Sequence, residues 1–135
     1  MALTAATITL NFEELSDGAS IGAHYASLGV TFDNAVVRFS VNAPTQPNFI
    51  FGSPLAEAPL TIHFAQGATS VSIQCDGDGF NSDRQPQMRV LDAGDNAIDT
   101  QFCASSNTVV TSVGPYPYLI LDAGYENVRE DGVIR

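Results

Sequence analysis

The chain has 135 residues, with 15 acidic side chains against five arginines and no lysine, for a formal charge of −10. At this length one domain is expected, spanning residues 1–135, with enough surface removed from water to form a core without staples. A hydrophobic content of 44% excludes a disordered acidic tail. Arg38, Arg84, Arg89, Arg129 and Arg135 are scattered along the chain, which excludes a nucleic-acid partner and disfavours an anionic membrane surface, because both need clustered cations.

Taken in order, the sequence reads as strand after strand. Thr7–Phe12 alternates with period two and puts Ile8, Leu10 and Phe12 on one face. One stretch, Ile21–Leu28, has helical potential and is expected as a single turn crossing an end of the fold. Strands follow at Val30–Phe32, Val36–Val41, Leu60–Phe64 and Ser70–Cys75. Met88–Leu91 and Ala97–Phe102 flank Asp92-Ala93-Gly94-Asp95-Asn96, a hairpin turn in which glycine and asparagine accept positive φ. Thr108–Val113 and Tyr118–Leu121 come next, and Val133-Ile134 starts a last strand. Turn-rich breaks at Asp17-Gly18, Pro44–Pro47, Gly52–Pro54, Gly67, Gly114-Pro115 and Gly124 separate them. Short strands punctuated in this way predict an all-β fold, an antiparallel β-sandwich or barrel in one domain.

The longest apolar runs are four or five residues, far below the ~20 that a membrane helix needs. Cys75 and Cys103 fall at the ends of two predicted strands. Neighbouring strands can bring such positions within disulfide range, and the closed loop would stabilise the fold by roughly 3–4 kcal/mol on the chain-entropy model. That bridge implies export; the alternative is a pair of buried thiols in a cytosolic protein. The spacing fits neither a zinc knuckle nor a CxxC redox pair.

Leu10-Asn11-Phe12-Glu13-Glu14-Leu15 through Ile21, followed by Tyr25-Ala26-Ser27-Leu28-Gly29-Val30-Thr31-Phe32, resembles the N-terminal signature of bacterial extracellular β-sandwich modules with galactose-binding-like or carbohydrate-binding jelly rolls. Leu60–Phe64 with Ser70–Ile73 resembles their paired strands, and Leu91–Ile98 one of their hairpins. The resemblance implies an exported jelly roll with calcium at its edge. Glu13 matches the first-strand carboxylate. Glu130-Asp131-Gly132-Val133-Ile134 is the nearest match to the family's last strand, so Asp131 matches the C-terminal ligand.

Calcium takes six to eight oxygens, drawn from carboxylates on separate loops. Asp33, just after the Gly29-Val30-Thr31-Phe32 run, joins Glu13 and Asp131 as a candidate ligand. A possible second site is Asp76-Gly77-Asp78-Gly79-Phe80-Asn81-Ser82-Asp83, where the carboxylates of Asp76, Asp78 and Asp83 and the asparagine fall within eight residues, as in the middle of an EF-hand loop. Gln74 and Gln85 fall at the two terminal ligand positions, which leaves a solvated hairpin loop as the other reading.

Sugar rings stack their apolar faces on aromatic planes. Tyr116 and Tyr118 in Gly114-Pro115-Tyr116-Pro117-Tyr118 are the leading candidates, with Tyr116 expected at the surface; Phe80 and Tyr125 are the others. No nucleophile elbow is present, and His24 and His63 have no evident partners, so catalysis is not expected. The expected function is a non-catalytic, lectin-like carbohydrate-binding module: calcium-stabilised, secreted, and fit for a place in a larger multidomain protein. The alternative is a structural or adhesive domain of a bacterial surface or matrix protein, mediating protein contacts. The first reading expects an exposed Tyr/Asp/Asn cluster, the second an apolar patch or an unpaired edge strand.

Overall fold

A computed structural model describes residues 7–39, 48–52, 60–77, 86–103, 108–125 and 132–134. Among them are ten strands: β1 (Val30–Asp33), β2 (Ala35–Phe39), β3 (Asn48–Gly52), β4 (Leu60–Phe64), β5 (Ala68–Gly77), β6 (Pro86–Leu91), β7 (Ala97–Phe102), β8 (Thr108–Tyr116), β9 (Leu119–Tyr125) and β10 (Gly132–Ile134). They form two five-stranded sheets, one ordered β1-β4-β9-β6-β7 and the other β2-β3-β10-β5-β8. Every pairing is antiparallel.

Period-two alternation builds the interior. The first sheet turns Val30, Phe32, Leu60, Ile62, Met88, Val90, Leu119 and Leu121 inward, and the second turns Ala35, Val37, Val71, Ile73 and Tyr116 inward. All belong to one hydrophobic cluster shared by the two sheets. Each large aliphatic side chain buried there contributes about 1.5–3 kcal/mol relative to an exposed one. The alternate residues on the first sheet, such as Thr31, Thr61, His63 and Arg89, are half-buried and face away from that cluster.

The chain crosses from one sheet to the other between β1 and β2 and between β7 and β8. At one margin a single residue, Asn34, separates β1 from β2 and takes a left-handed φ of 58°, a conformation that asparagine tolerates better than most residues. The segment before β1 then covers the free edge of β2. Gly18 N donates to Val37 O at 2.7 Å, Val37 N to Ala19 O at 2.8 Å, and Ile21 N to Ala35 O at 3.1 Å. Phe12 and Tyr25 plug this end: Phe12 lies 5.7 Å from Tyr25 and 5.9 Å from Phe32, ring to ring and edge to face, a favoured aromatic geometry. The expected turn before β1 is a 3-10 turn, Ala26–Leu28.

Three elements differ from the sequence reading. Thr7–Phe12 is not a strand: Phe12 has φ 63°, which turns the chain and buries its ring while Ile8 stays 52% exposed. β3 forms between two turn-rich stretches that mask it in the sequence. Gly114-Pro115 does not end β8, which runs on to Tyr116. Proline is tolerated there because β8 is an edge strand, pairing only with β5.

Candidate functional site

The acidic residues expected to hold calcium do not converge where they can be followed. Among the described residues no three His, Cys, Asp or Glu side chains group as a cation site. Asp33 is engaged elsewhere, its Oδ2 lying 2.7 Å from His63 Nε2. Glu13 is half-buried on the turn after Phe12. Asp131, Asp78 and Asp83 lie outside the described residues, and Asp76 is described only as the β5 backbone paired with Val133. His24 and His63 both have acidic neighbours, contrary to the sequence reading; His24 Nε2 is 3.5 Å from Glu14.

The two tyrosines exchange roles. Tyr116, expected at the surface, is buried at 9% exposure, whereas Tyr118 is 56% exposed on the β8–β9 turn. Because β8 continues through Pro115, Tyr116 keeps the inward phase of Ser112 four residues earlier. Tyr125 contributes only β9 backbone, and Phe80 lies outside the described residues. Cys103 is fully buried directly after β7 and is not a free thiol; Cys75 sits on β5 opposite Ile134 and Thr108.

What the fold does assemble is a polar face on the outer side of the first sheet. Register places Asp33 opposite Thr61, Thr61 opposite Asp122, Asp122 opposite Arg89, and Arg89 opposite Thr100. One row of polar residues therefore crosses all five strands. Thr31 and His63 form a neighbouring pair, and the Asp33–His63 contact ties the two rows at the β1 edge. On β7, Ile98 and Phe102 share the face with Thr100 and are 52% and 43% exposed. Sequence reading missed Phe102 because an aromatic in an alternating strand ordinarily points to the core. The signal was its strand mate: Asp99 and Gln101 occupy the opposite phase.

That opposite phase forms a second polar cluster, inside the margin between edge strands β7 and β8. Ser112, 1% exposed, donates its hydroxyl proton to Asp99 Oδ2. Gln101 Nε2 donates to both Asp99 oxygens at 3.2 Å. Since the single Ser112 proton goes to the carboxylate, the Tyr116 hydroxyl, 2.5 Å away, donates to Ser112 Oγ. The Ser112 bond, with Gln101 behind it, holds the Asp99 carboxyl below its usual range. At the opposite margin the Tyr25 hydroxyl donates to Glu14 at 2.5 Å. This bond lowers the Glu14 pKa, while burial, then Glu14 itself, raises that of Tyr25.

Chemically, the outer face offers threonine hydroxyls that donate and accept, the Asp33 carboxylate held against His63, and an apolar shelf at one rim. Compared with family models, curated proteins and solved structures, the chain has no match.

Proposed function

We propose that this protein is a non-catalytic carbohydrate-binding module and that the outer face of the β1-β4-β9-β6-β7 sheet is its binding surface. The observation that carries this reading is the alignment of Asp33, Thr61 and Thr100 in one register row of that face, with Phe102 exposed beside it. Protein sites for small polar ligands pair a few placed polar groups with apolar or aromatic surface in this way. A strand order of jelly-roll type supports the family resemblance. Pairs β3/β10, β4/β9, β5/β8 and β6/β7 nest one inside another, as expected of an eight-stranded jelly-roll sandwich, with β1 and β2 added at its edge. The proposal includes secretion, a Cys75–Cys103 bridge, and calcium held by Glu13, Asp33 and Asp131, for which Asp33 would exchange its contact with His63 for the ion. The first two of these ligands lie on chain segments that meet where Phe12 packs against Phe32. No described helix is long and apolar enough to cross a membrane.

An immobilised-glycan screen tests the reading: retention on at least one polysaccharide, competed by its soluble oligosaccharide, is expected. A blank screen with folded protein rejects it. The adhesive alternative has its own support, because Val109 and Val113 project from edge strand β8 at 60% and 74% exposure. It expects capture of a surface protein that Val113→Lys abolishes.

A further inference from the structure

The edge strands of the two sheets are not treated alike. At the Asn34 margin the segment before β1 pairs with both edges: Gly18, Ala19 and Ile21 bond along β2, and Phe32 N of β1 donates to Gly22 O at 2.9 Å. At the other margin lie β7 and β8, and among the described residues no backbone pairs with the outer side of either. An open edge presents unpaired N–H and C=O groups to any other strand, and proteins commonly blunt it with charge, a bulge or a proline. β8 carries no charge. Its proline, Pro115, and its register shift, opposite Ala68 and Ser70, both fall at its far end.

We propose that β8 pairs antiparallel with β8 of a second copy of this chain, about a two-fold axis at Thr111, so that the two second sheets join edge to edge. The outward pattern of β8 is symmetric about that residue. Val109, Thr111 and Val113 are all exposed, the valines at 60% and 74%. Centred on Thr111, the pairing sets Val109 of each copy opposite Val113 of the other and Thr111 opposite its own counterpart. Such β-branched cross-strand pairs stabilise an antiparallel ladder. The strand also has matching ends. Thr108, where β8 begins, falls opposite Gly114 of the second copy, and the ladder stops before Pro115, which has no N–H to contribute. At ~3.4 Å per residue this ladder is roughly 24 Å long.

Charge selects a second copy over other occupants. With a net charge of −10, two copies repel one another over most of their surface. Thr100–Leu121 and Phe64–Cys75 contain no charged side chain. The next strand inward, β5, sets Ser70, Ser72 and Gln74 opposite Val113, Thr111 and Val109. This uncharged margin is where two like-charged copies can meet, and it offers a basic partner no carboxylate to pair with. On the facing edge strand β7, Asp99 keeps its carboxylate turned to Ser112 and Gln101.

Sedimentation of the folded chain from about 1 µM to about 1 mM tests the pairing, because an interface this narrow is expected to be weak, with a Kd of roughly 10–100 µM. The dimer should tighten as salt rises from about 50 to 500 mM, since screening removes the repulsion between copies. Thr111→Lys sets like charges against each other at the axis and should weaken the dimer at least ten-fold. Val109→Lys and Val113→Asp should each weaken it. Combined in one chain they should bind tighter than either alone, because the introduced lysine of each copy then lies opposite the introduced aspartate of the other. All three positions face solvent, and thermal melts verify that the variants fold. A chain monomeric throughout that range, or a dimer indifferent to Thr111→Lys, overturns the proposal. A combined variant no tighter than the single ones overturns the register. Capture of a different protein through Val113 by a chain that stays monomeric overturns the pairing and leaves the adhesive alternative standing; none of these outcomes bears on the glycan screen.

Discussion

Replacing Ser112 by alanine tests the polar cluster between β7 and β8. The serine is 1% exposed and sits between the Asp99 carboxylate and the Tyr116 hydroxyl. Its loss leaves a partly buried carboxylate without its strongest donor and a buried phenol without its acceptor. Hydrogen bonds to charged groups contribute about 1.5–3 kcal/mol, and an orphaned buried polar group costs a similar amount. Gln101 retains its two bonds to Asp99 at 3.2 Å, so the expected loss is about 2 kcal/mol at pH 7. With ~2.1 cal/mol/K of unfolding entropy per residue, a chain of 135 residues loses roughly 7 °C in Tm. The pH dependence gives a second handle. The folded pKa of Asp99 is depressed, so its contribution is complete above the unfolded pKa and is lost as pH falls through the folded value. Thermal melts of wild type, Ser112→Ala, Asp99→Asn and the double variant should therefore give a coupling energy that is large at pH 7 and shrinks as pH falls through the lowered Asp99 pKa. A penalty under about 0.5 kcal/mol at pH 7, or one independent of pH, refutes the assigned network.

Four further outcomes can be checked. Asp92→Ala should open the β6–β7 turn, because Asp92 Oδ1 accepts from Gly94 N at 2.8 Å and Asn96 N at 3.0 Å; hydrogen exchange at Gly94 and Asn96 should speed up. In wild type, the protection of those amides relative to their intrinsic exchange rate should fall as pH drops through the lowered Asp92 pKa. A Cβ on Gly67 would lie 2.0 Å from the Tyr116 carbonyl oxygen, so Gly67→Ala should lower Tm by several degrees; an unchanged melt contradicts that close approach. Calcium at 100 times its Kd should stabilise the fold by about 2.7 kcal/mol over a chelated sample, and equal melts in calcium and chelator remove the metal from the proposal. Under reducing conditions, or in Cys75→Ser, loss of the proposed bridge should cost roughly 3–4 kcal/mol, whereas a melt insensitive to reductant excludes the bridge.

Nine of the ten strands were legible because alternation of apolar and polar residues is a direct consequence of the pleat. The elements that were not legible fail for identifiable reasons. Thr7–Phe12 alternates well, yet Phe12 bends out of extended geometry to fill the space between Tyr25 and Phe32. Nothing local announces that. Tyr116 looked like a turn residue after Gly114-Pro115, but an edge strand needs no amide at Pro115 and so carries its phase onward. β7 inverts the usual rule, turning Asp99 and Gln101 inward and Ile98 and Phe102 outward. Only knowledge that β7 is an edge strand facing β8 makes sense of this, and edge position is a property of the whole topology. The outer polar face was illegible for the same reason: Asp33, Thr61, Arg89 and Thr100 come from four strands far apart in sequence and align only through register.

The nested pairing also carries a consequence for how the chain finds its fold. Only β6 and β7, the innermost pair, are joined by a tight turn; β5/β8, β4/β9 and β3/β10 enclose successively longer stretches. Closing a loop costs entropy that grows with its length, so each inner pair, once formed, shortens the effective loop for the next. Assembly is thus expected to run outward from the Asp92–Asn96 turn, with β3 and β10 joining last. A topology dominated by such distant contacts folds slowly, on the millisecond-to-second scale.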